Sequence, residues 1–259
     1  MADLCKLCGE EKKLIKSHVI PKAFFPNSAT TKLLSSDKFQ FPRKAPIGVY
    51  DEGILCAACD SNLGIFDQAA AEQLLTKVGH VPPETDGLAR VYHVTDTELI
   101  RRFVISVAWR AHHSTHAMFR SVHLGPYETL FKHEVLEPTT QRTSVCVTEF
   151  DNRNVPFLSP AVDRFENVRF LRIYAARFLF LVKVDKQRMP SDFENLDIAH
   201  RDRDFIGSVV QSWRGSGEEL AMREMVTLTP QNISQVHKWR KTFAGAKDPV
   251  SVFRIAAMS

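Results

Sequence analysis

The sequence predicts an α+β fold: a small metal-stapled module at the N-terminus, a helical middle, and a mainly antiparallel sheet with a late helix. Three observations carry this reading. Two Cys-x-x-Cys pairs, Cys5/Cys8 and Cys56/Cys59, bracket a segment rich in turn-formers and poor in helical periodicity. Apolar residues then recur at helical spacing between about 65 and 136. After residue 140 come runs dense in β-branched and aromatic residues, the texture of strands.

Each element follows in order. Residues 1–65 hold four of the five cysteines and bury too little apolar surface to fold well without a staple. From Ile65 to Val78 a helix is expected, with Ile65, Phe66, Ala69, Leu74 and Leu75 on one face, ended by Gly79 and Pro82-Pro83. A longer helix starts near Thr95, which has capping-box spacing to Glu98, and carries Leu99, Phe103, Ile105, Val107 and Trp109 toward the His112-His113 region. Gly125-Pro126 breaks it, and Tyr127 to Val135 reads as a shorter helix. Strands are expected at Thr143–Phe150, Val168–Tyr174 and Phe178–Val184, with turns at 151–154 and 175–177. Thr229-Pro230 opens a last helix reaching about Phe243. The domain boundary implied is 1–65 against 66–259, the latter helical over 66–136 and sheet-rich over 140–259.

Composition narrows the function classes. Hydrophobic residues make up 44% and charged residues 25% of the 259, as in globular proteins. No apolar run approaches the roughly 20 residues needed to cross a bilayer, and Lys12-Lys13 interrupt any signal-peptide core. The expectation is a cytoplasmic protein, a setting where paired cysteines are metal ligands more often than disulfides. A net charge of +4 permits contact with phosphate backbones without requiring it. There is no P-loop, dinucleotide glycine motif or serine-nucleophile elbow.

The two cysteine pairs are the most specific signal. Two intervening residues let both thiolates of a pair face one ion, and two pairs complete the sulfur tetrahedron of a structural zinc site. Cys5, Cys8, Cys56 and Cys59 are therefore the expected zinc ligands, and Cys146 an ordinary buried thiol in a strand. Other residues invite weaker readings. His112 and His116 stand at i, i+4 but lack the glutamate between them that a zinc protease needs, so a polar helix face is preferred. Arg101, Arg102, Arg110 and Arg120, with Lys238, Arg240 and Lys241, would line a phosphate-binding surface or a solvated face. Trp109, Trp213 and Trp239 are expected as core or interface anchors.

Between the knuckles lies Lys16-Ser17-His18-Val19-Ile20-Pro21, and Asp51-Glu52-Gly53-Ile54-Leu55 leads into Cys56-Ala57-Ala58-Cys59-Asp60. Over residues 5 to about 65 this layout resembles the zinc-containing HNH (ββα-metal, treble-clef) endonucleases. It also looks like a Ser-His-x-Ile-Pro variant group, some members of which continue with an aromatic-Arg helix such as Val107-Ala108-Trp109-Arg110. The resemblance implies that His18 is the general base, that Asp51 orients it, and that Asp60 binds a catalytic Mg²⁺ or Mn²⁺. Ser17 replaces the aspartate that the family places before its histidine, and Leu63 replaces a basic residue after the helix knuckle. The implied activity is divalent-metal-dependent hydrolysis of phosphodiester bonds in DNA or RNA. The C-terminal part would then select the substrate, bind a protein regulator or pair subunits. The alternative, from a different class, is a non-catalytic adaptor in which His18 packs beside the zinc and hydrogen-bonds a carbonyl.

Overall fold

The computed structural model describes residues 3–25, 32–34, 43–44, 48–139, 142–152, 155, 157–199 and 204–220. The expected helix at 229–243, with Lys238, Trp239, Arg240 and Lys241, lies outside them. So does part of the turn expected at 151–154.

The chain opens with strands β1 (Asp3–Leu4) and β2 (Glu11–Lys12), an antiparallel hairpin whose tight end carries Cys5 and Cys8. Gly9 closes that turn at φ +75°, a conformation that costs a side-chain-bearing residue energy. Strand β3 (Ser17–His18) pairs antiparallel with β6 (Tyr50–Asp51), and the connection contributes β4 (Lys32–Leu34) and β5 (Arg43–Lys44) to a small separate sheet.

Helix α1 (Ala57–Ala70) starts at the second cysteine pair, eight residues earlier than the apolar pattern suggests, and continues as a π-helical turn over Ala71–Thr76. Its buried face is Cys59, Leu63, Phe66 and Ala70, so Ile65 points to solvent instead of the core. The same helix runs across the 65/66 boundary, and one apolar core joins Cys5, Ile54, Phe66, Trp109 and Phe180. The N-terminal segment thus shares its core with the helices and the sheet. A segment this small gains more by packing its apolar residues on a neighbour than by enclosing a core of its own.

Strand β7 (Ala89–His93) follows, and then α2 (Thr97–His113). The cap of α2 is Asp96, whose side chain accepts from the Glu98 amide; Thr95 instead meets Gln73 through its N–H and hydroxyl. Helix α2 is buried nearly all round, packed between α1 and α3 (Tyr127–Leu136) and against the sheet. A helix so enclosed must neutralise its charges internally. Arg101, fully buried, is held by Glu98 and Glu134, and Glu134 also accepts from the Thr143 N–H and hydroxyl.

The remaining strands are β8 (Val145–Phe150), β9 (Phe157–Leu158), β10 (Ala161–Phe165), β11 (Val168–Ala175), β12 (Phe178–Lys183) and β13 (Phe205–Gln211); a single helical turn, α4 (Ser191–Glu194), lies between the last two. The main sheet has the order β10-β11-β12-β8-β13-β7, antiparallel except where β13 runs parallel to β8. Sequence reading missed β7, β10 and β13, which are shorter in apolar content, and β7 brings a piece of the helical middle into the sheet. Alternation sorts the side chains: Val145, Val147, Phe178 and Phe180 face the helices, whereas Cys146, Phe150, Leu179 and Leu181 face a second core with Phe193 and Trp213. Ala176, at φ 53°, turns the β11–β12 hairpin, and its N–H donates to the Phe24 carbonyl, tying the sheet to the N-terminal segment.

Candidate functional site

The four cysteines named by spacing come together. The sulfur atoms of Cys5, Cys8, Cys56 and Cys59 all lie within 4.8 Å of one another. Thiolates bound at about 2.3 Å around a tetrahedral zinc stand roughly 3.8 Å apart, so the cluster needs little contraction to hold the ion. The first pair comes from the β1–β2 turn and the second from the first turn of α1. Backbone bonds across the gap, Lys6 N–H to the Ile54 carbonyl and Ile15 N–H to the Leu55 carbonyl, bring them into register. Burial opposes ionisation of Cys5, but the amides of Cys8, Cys56 and Leu7 outweigh it and bring the thiol down to about 7. Burial, together with bonding among the other thiols, pushes Cys59 well up. One readily ionised thiol beside two buried thiols and the exposed Cys8 is a donor set suited to a thiophilic cation.

Strand alternation decides what lies beside the cluster. Ser17 and Asp51 are cross-strand partners on the inward face of the β3–β6 pair; His18 and Tyr50 are partners on the outward face. Ser17 is buried, with its hydroxyl 3.4 Å from the Asp51 carbonyl oxygen. The Asp51 carboxylate accepts from the Gly53 N–H (2.8 Å), the Thr115 N–H (2.7 Å) and hydroxyl (3.0 Å), and the Ser114 hydroxyl (3.0 Å). Burial opposes its charge, but these donors prevail and hold it below the ordinary carboxylate range. Asp51 therefore ties the turn after α2 to the strand pair, on the face opposite the one that His18 shares with Tyr50.

His18 is half-buried, its ring edge-on to Tyr50 at 6.4 Å between centroids. Gly48, at φ +85°, lets the chain pass close: a Cβ there would stand 2.8 Å from the Phe25 ring and 3.4 Å from His18 Cδ2. Asp60, in the first turn of α1, is also partly exposed. Burial pushes its carboxyl above the ordinary range; Arg110 and His18 pull it down, and Asp67 pushes it up. His18, Asp60, Asp67 and Arg110 thus share one electrostatic neighbourhood beside the cysteine cluster.

Arg110 organises it. Its guanidinium, buried on α2, grips both Asp67 oxygens (2.7 and 2.9 Å) and donates at 2.9 Å to the main-chain carbonyl of His18. Ser106 accepts the rest, through its carbonyl and its hydroxyl. Sequence reading had offered Arg110 as a phosphate-binding residue and did not single out Asp67. The available signal was the i, i+7 spacing of Asp60 and Asp67 on α1, which puts both on one face. Arg101 and Arg102 are likewise committed inside: Arg102 donates to the Glu134 and Val135 carbonyls and lies over the Phe66 ring. Leu63, where a basic residue was expected from the resemblance, is core.

The histidines of α2 do not converge on a metal. His113 meets Glu128 at 3.1 Å, and Trp109 Nε1 donates to the same carboxylate; His112 faces the Val122–Leu124 backbone; His116 Nδ1 accepts from the Met118 amide. Among the described residues the four cysteines form the one cluster of metal-ligating side chains. Cys146 is buried in β8, where burial pushes its thiol up. Trp109 and Trp213 are core residues. No helix among the described residues is long and apolar enough to cross a membrane. Comparisons of the chain with protein-family models, curated proteins and solved structures return no match.

Proposed function

We propose that this chain is a zinc-stapled protein that acts on nucleic acid, with an HNH-like centre on the His18–Asp60 face that hydrolyses phosphodiester bonds. One observation carries the reading. His18 and Asp60 are both partly exposed and lie within electrostatic reach of each other, with Asp60 directly after Cys59 on α1. In this reading zinc is structural and ties the β1–β2 turn to the first turn of α1. The His18 imidazole takes the proton of the attacking water, the general-base role that histidine fills most often. Asp60 supplies the hard oxygen ligand that Mg²⁺ or Mn²⁺ prefers. Such an ion, when bound, would offset charge on the phosphate and the leaving oxygen. Asp51 has no part in the chemistry; its carboxylate holds the 114–115 turn.

A second reading rests on a specific observation. With Ser17 turned inward, Asp51 bound to four donors and Asp67 gripped by Arg110, Asp60 is the one of these three carboxylates left without such donors. That favours a non-catalytic adaptor in which the same surface binds nucleic acid or protein without cutting. A cleavage assay on DNA and RNA with and without Mg²⁺ or Mn²⁺, comparing wild type with His18→Ala, separates the two. Metal-dependent cleavage that falls about 10²–10⁴-fold in His18→Ala supports the hydrolytic centre. Cleavage unaffected by His18→Ala assigns it elsewhere, and binding without cleavage establishes the adaptor.

A further inference from the structure

The outward face of the β3–β6 pair carries a lysine beside His18. Tyr50 is the cross-strand partner of His18, and its ring meets the His18 ring edge-on. Lys16, two residues before His18 in the extended stretch and so on the same face, lays its ammonium 3.5 Å from the centre of the Tyr50 ring. Lys16 is exposed, and no carboxylate among the described residues pairs with it. The tyrosine ring therefore does what an acidic neighbour would do elsewhere. It restrains a flexible side chain by attraction to the ring face, and it leaves the positive charge unneutralised.

This differs from the state of the other cations considered. Arg101, Arg102 and Arg110 are tied to carboxylates or carbonyls of their own fold. An exposed, unneutralised cation restrained beside a histidine is complementary to a polyanion. A phosphodiester backbone carries one charge per nucleotide, so an ammonium next to the reacting position can hold the adjoining phosphate and fix the register of the strand.

We propose that Lys16, held across the Tyr50 ring, is the phosphate-binding residue of the His18 site and that the two side chains act as one unit. The inference rests on the nucleic-acid reading above. The test measures binding separately from cleavage, by fluorescence anisotropy of labelled 20-nucleotide single-stranded DNA and RNA on the full chain carrying His18→Ala. Zinc content and melting temperature check the fold of each variant. Lys16→Gln should weaken binding and lower the slope of log affinity against log salt by about 0.7, the value for one phosphate contact on a single strand. Tyr50→Phe, which keeps the ring face, should bind as the parent does. Tyr50→Ala should weaken binding, and adding it to Lys16→Gln should cost nothing further. Lys186→Gln, at an exposed position on the sheet side, should leave the slope unchanged. If the parent binds but Lys16→Gln keeps its slope, or Tyr50→Phe is as weak as Tyr50→Ala, the inference is overturned while the nucleic-acid reading stands. If the parent binds neither oligonucleotide, both fall together.

Discussion

Removing the Arg110 guanidinium should be among the most damaging single changes in this protein, and its cost can be worked from the contacts. Arg110→Ala deletes a bidentate pair with Asp67 and the donor to the His18 carbonyl. The arginine side chain is 2% exposed and that of Asp67 18%, so water relieves the orphaned carboxylate only in part. Breaking a buried ion pair by removing one partner costs about 3–5 kcal/mol, and the partial exposure of Asp67 argues for about 3. Leaving the His18 carbonyl without its donor adds about 1 kcal/mol. A loss of about 4 kcal/mol corresponds to a fall in melting temperature on the order of 10 °C for a domain of this size. Arg110→Lys should recover little, because a point charge cannot span two carboxylate oxygens and a carbonyl at once. Scanning calorimetry on Arg110→Ala, Asp67→Ala and the double variant measures the coupling, expected near the upper end of the roughly 0.5–3 kcal/mol seen for contacting residues. Additive effects, or a shift under about 2 °C for Arg110→Ala, would refute the assignment of Arg110 as the clamp between α2, α1 and β3.

Three further outcomes follow from the site. Purified protein should carry about one zinc ion per chain, and Cys56→Ser should lose it and lower the melting temperature; metal analysis showing a zinc-free protein of unchanged stability would sink the structural-zinc reading. Ser17→Asp restores the residue that the HNH resemblance leads one to expect, but the side chain points inward next to the Asp51 carboxylate. It should therefore destabilise the fold by several kcal/mol and not improve metal binding, and an unchanged melting curve would show that the strand can turn the new carboxylate outward. Asp51 has its folded pKa depressed, so it contributes stability above its unfolded value of about 3.9 and loses it as pH falls through the lower folded value. The stability gap between wild type and Asp51→Asn should accordingly narrow below about pH 4, and a gap that stays constant from pH 6 to pH 2.5 would contradict it.

The sequence by itself determined the metal cluster, because ligand chemistry and two-residue spacing are local properties that survive any later packing. Cys5, Cys8, Cys56 and Cys59 were legible for that reason. So were the helix over 127–136 and the strands at Val145–Phe150, Val168–Ala175 and Phe178–Lys183, whose texture is strong within a single element. His18 and Asp60 were legible as residues of interest through the resemblance, and the structure places both at one partly exposed face.

What only the tertiary structure decided is which way each side chain turns and which charge answers which. A one-residue offset between Ser17 and His18 separates the inside of a strand pair from its outside, and no composition or motif encodes it. The same geometry pairs the Asp51 carboxylate with Ser114 and Thr115, more than sixty positions along the chain. Arginines on α2 read from sequence as a phosphate surface because charge suggests solvent; enclosure of α2 turned them into internal clamps on Glu134 and Asp67. Ile65 failed as a core residue because the helix begins at Ala57, so the buried stripe is set by the first turn at the cysteine pair and not by the apolar run that follows. In each case the deciding partner lies far along the chain, where pairwise burial and charge compensation, and not local propensity, fix the outcome.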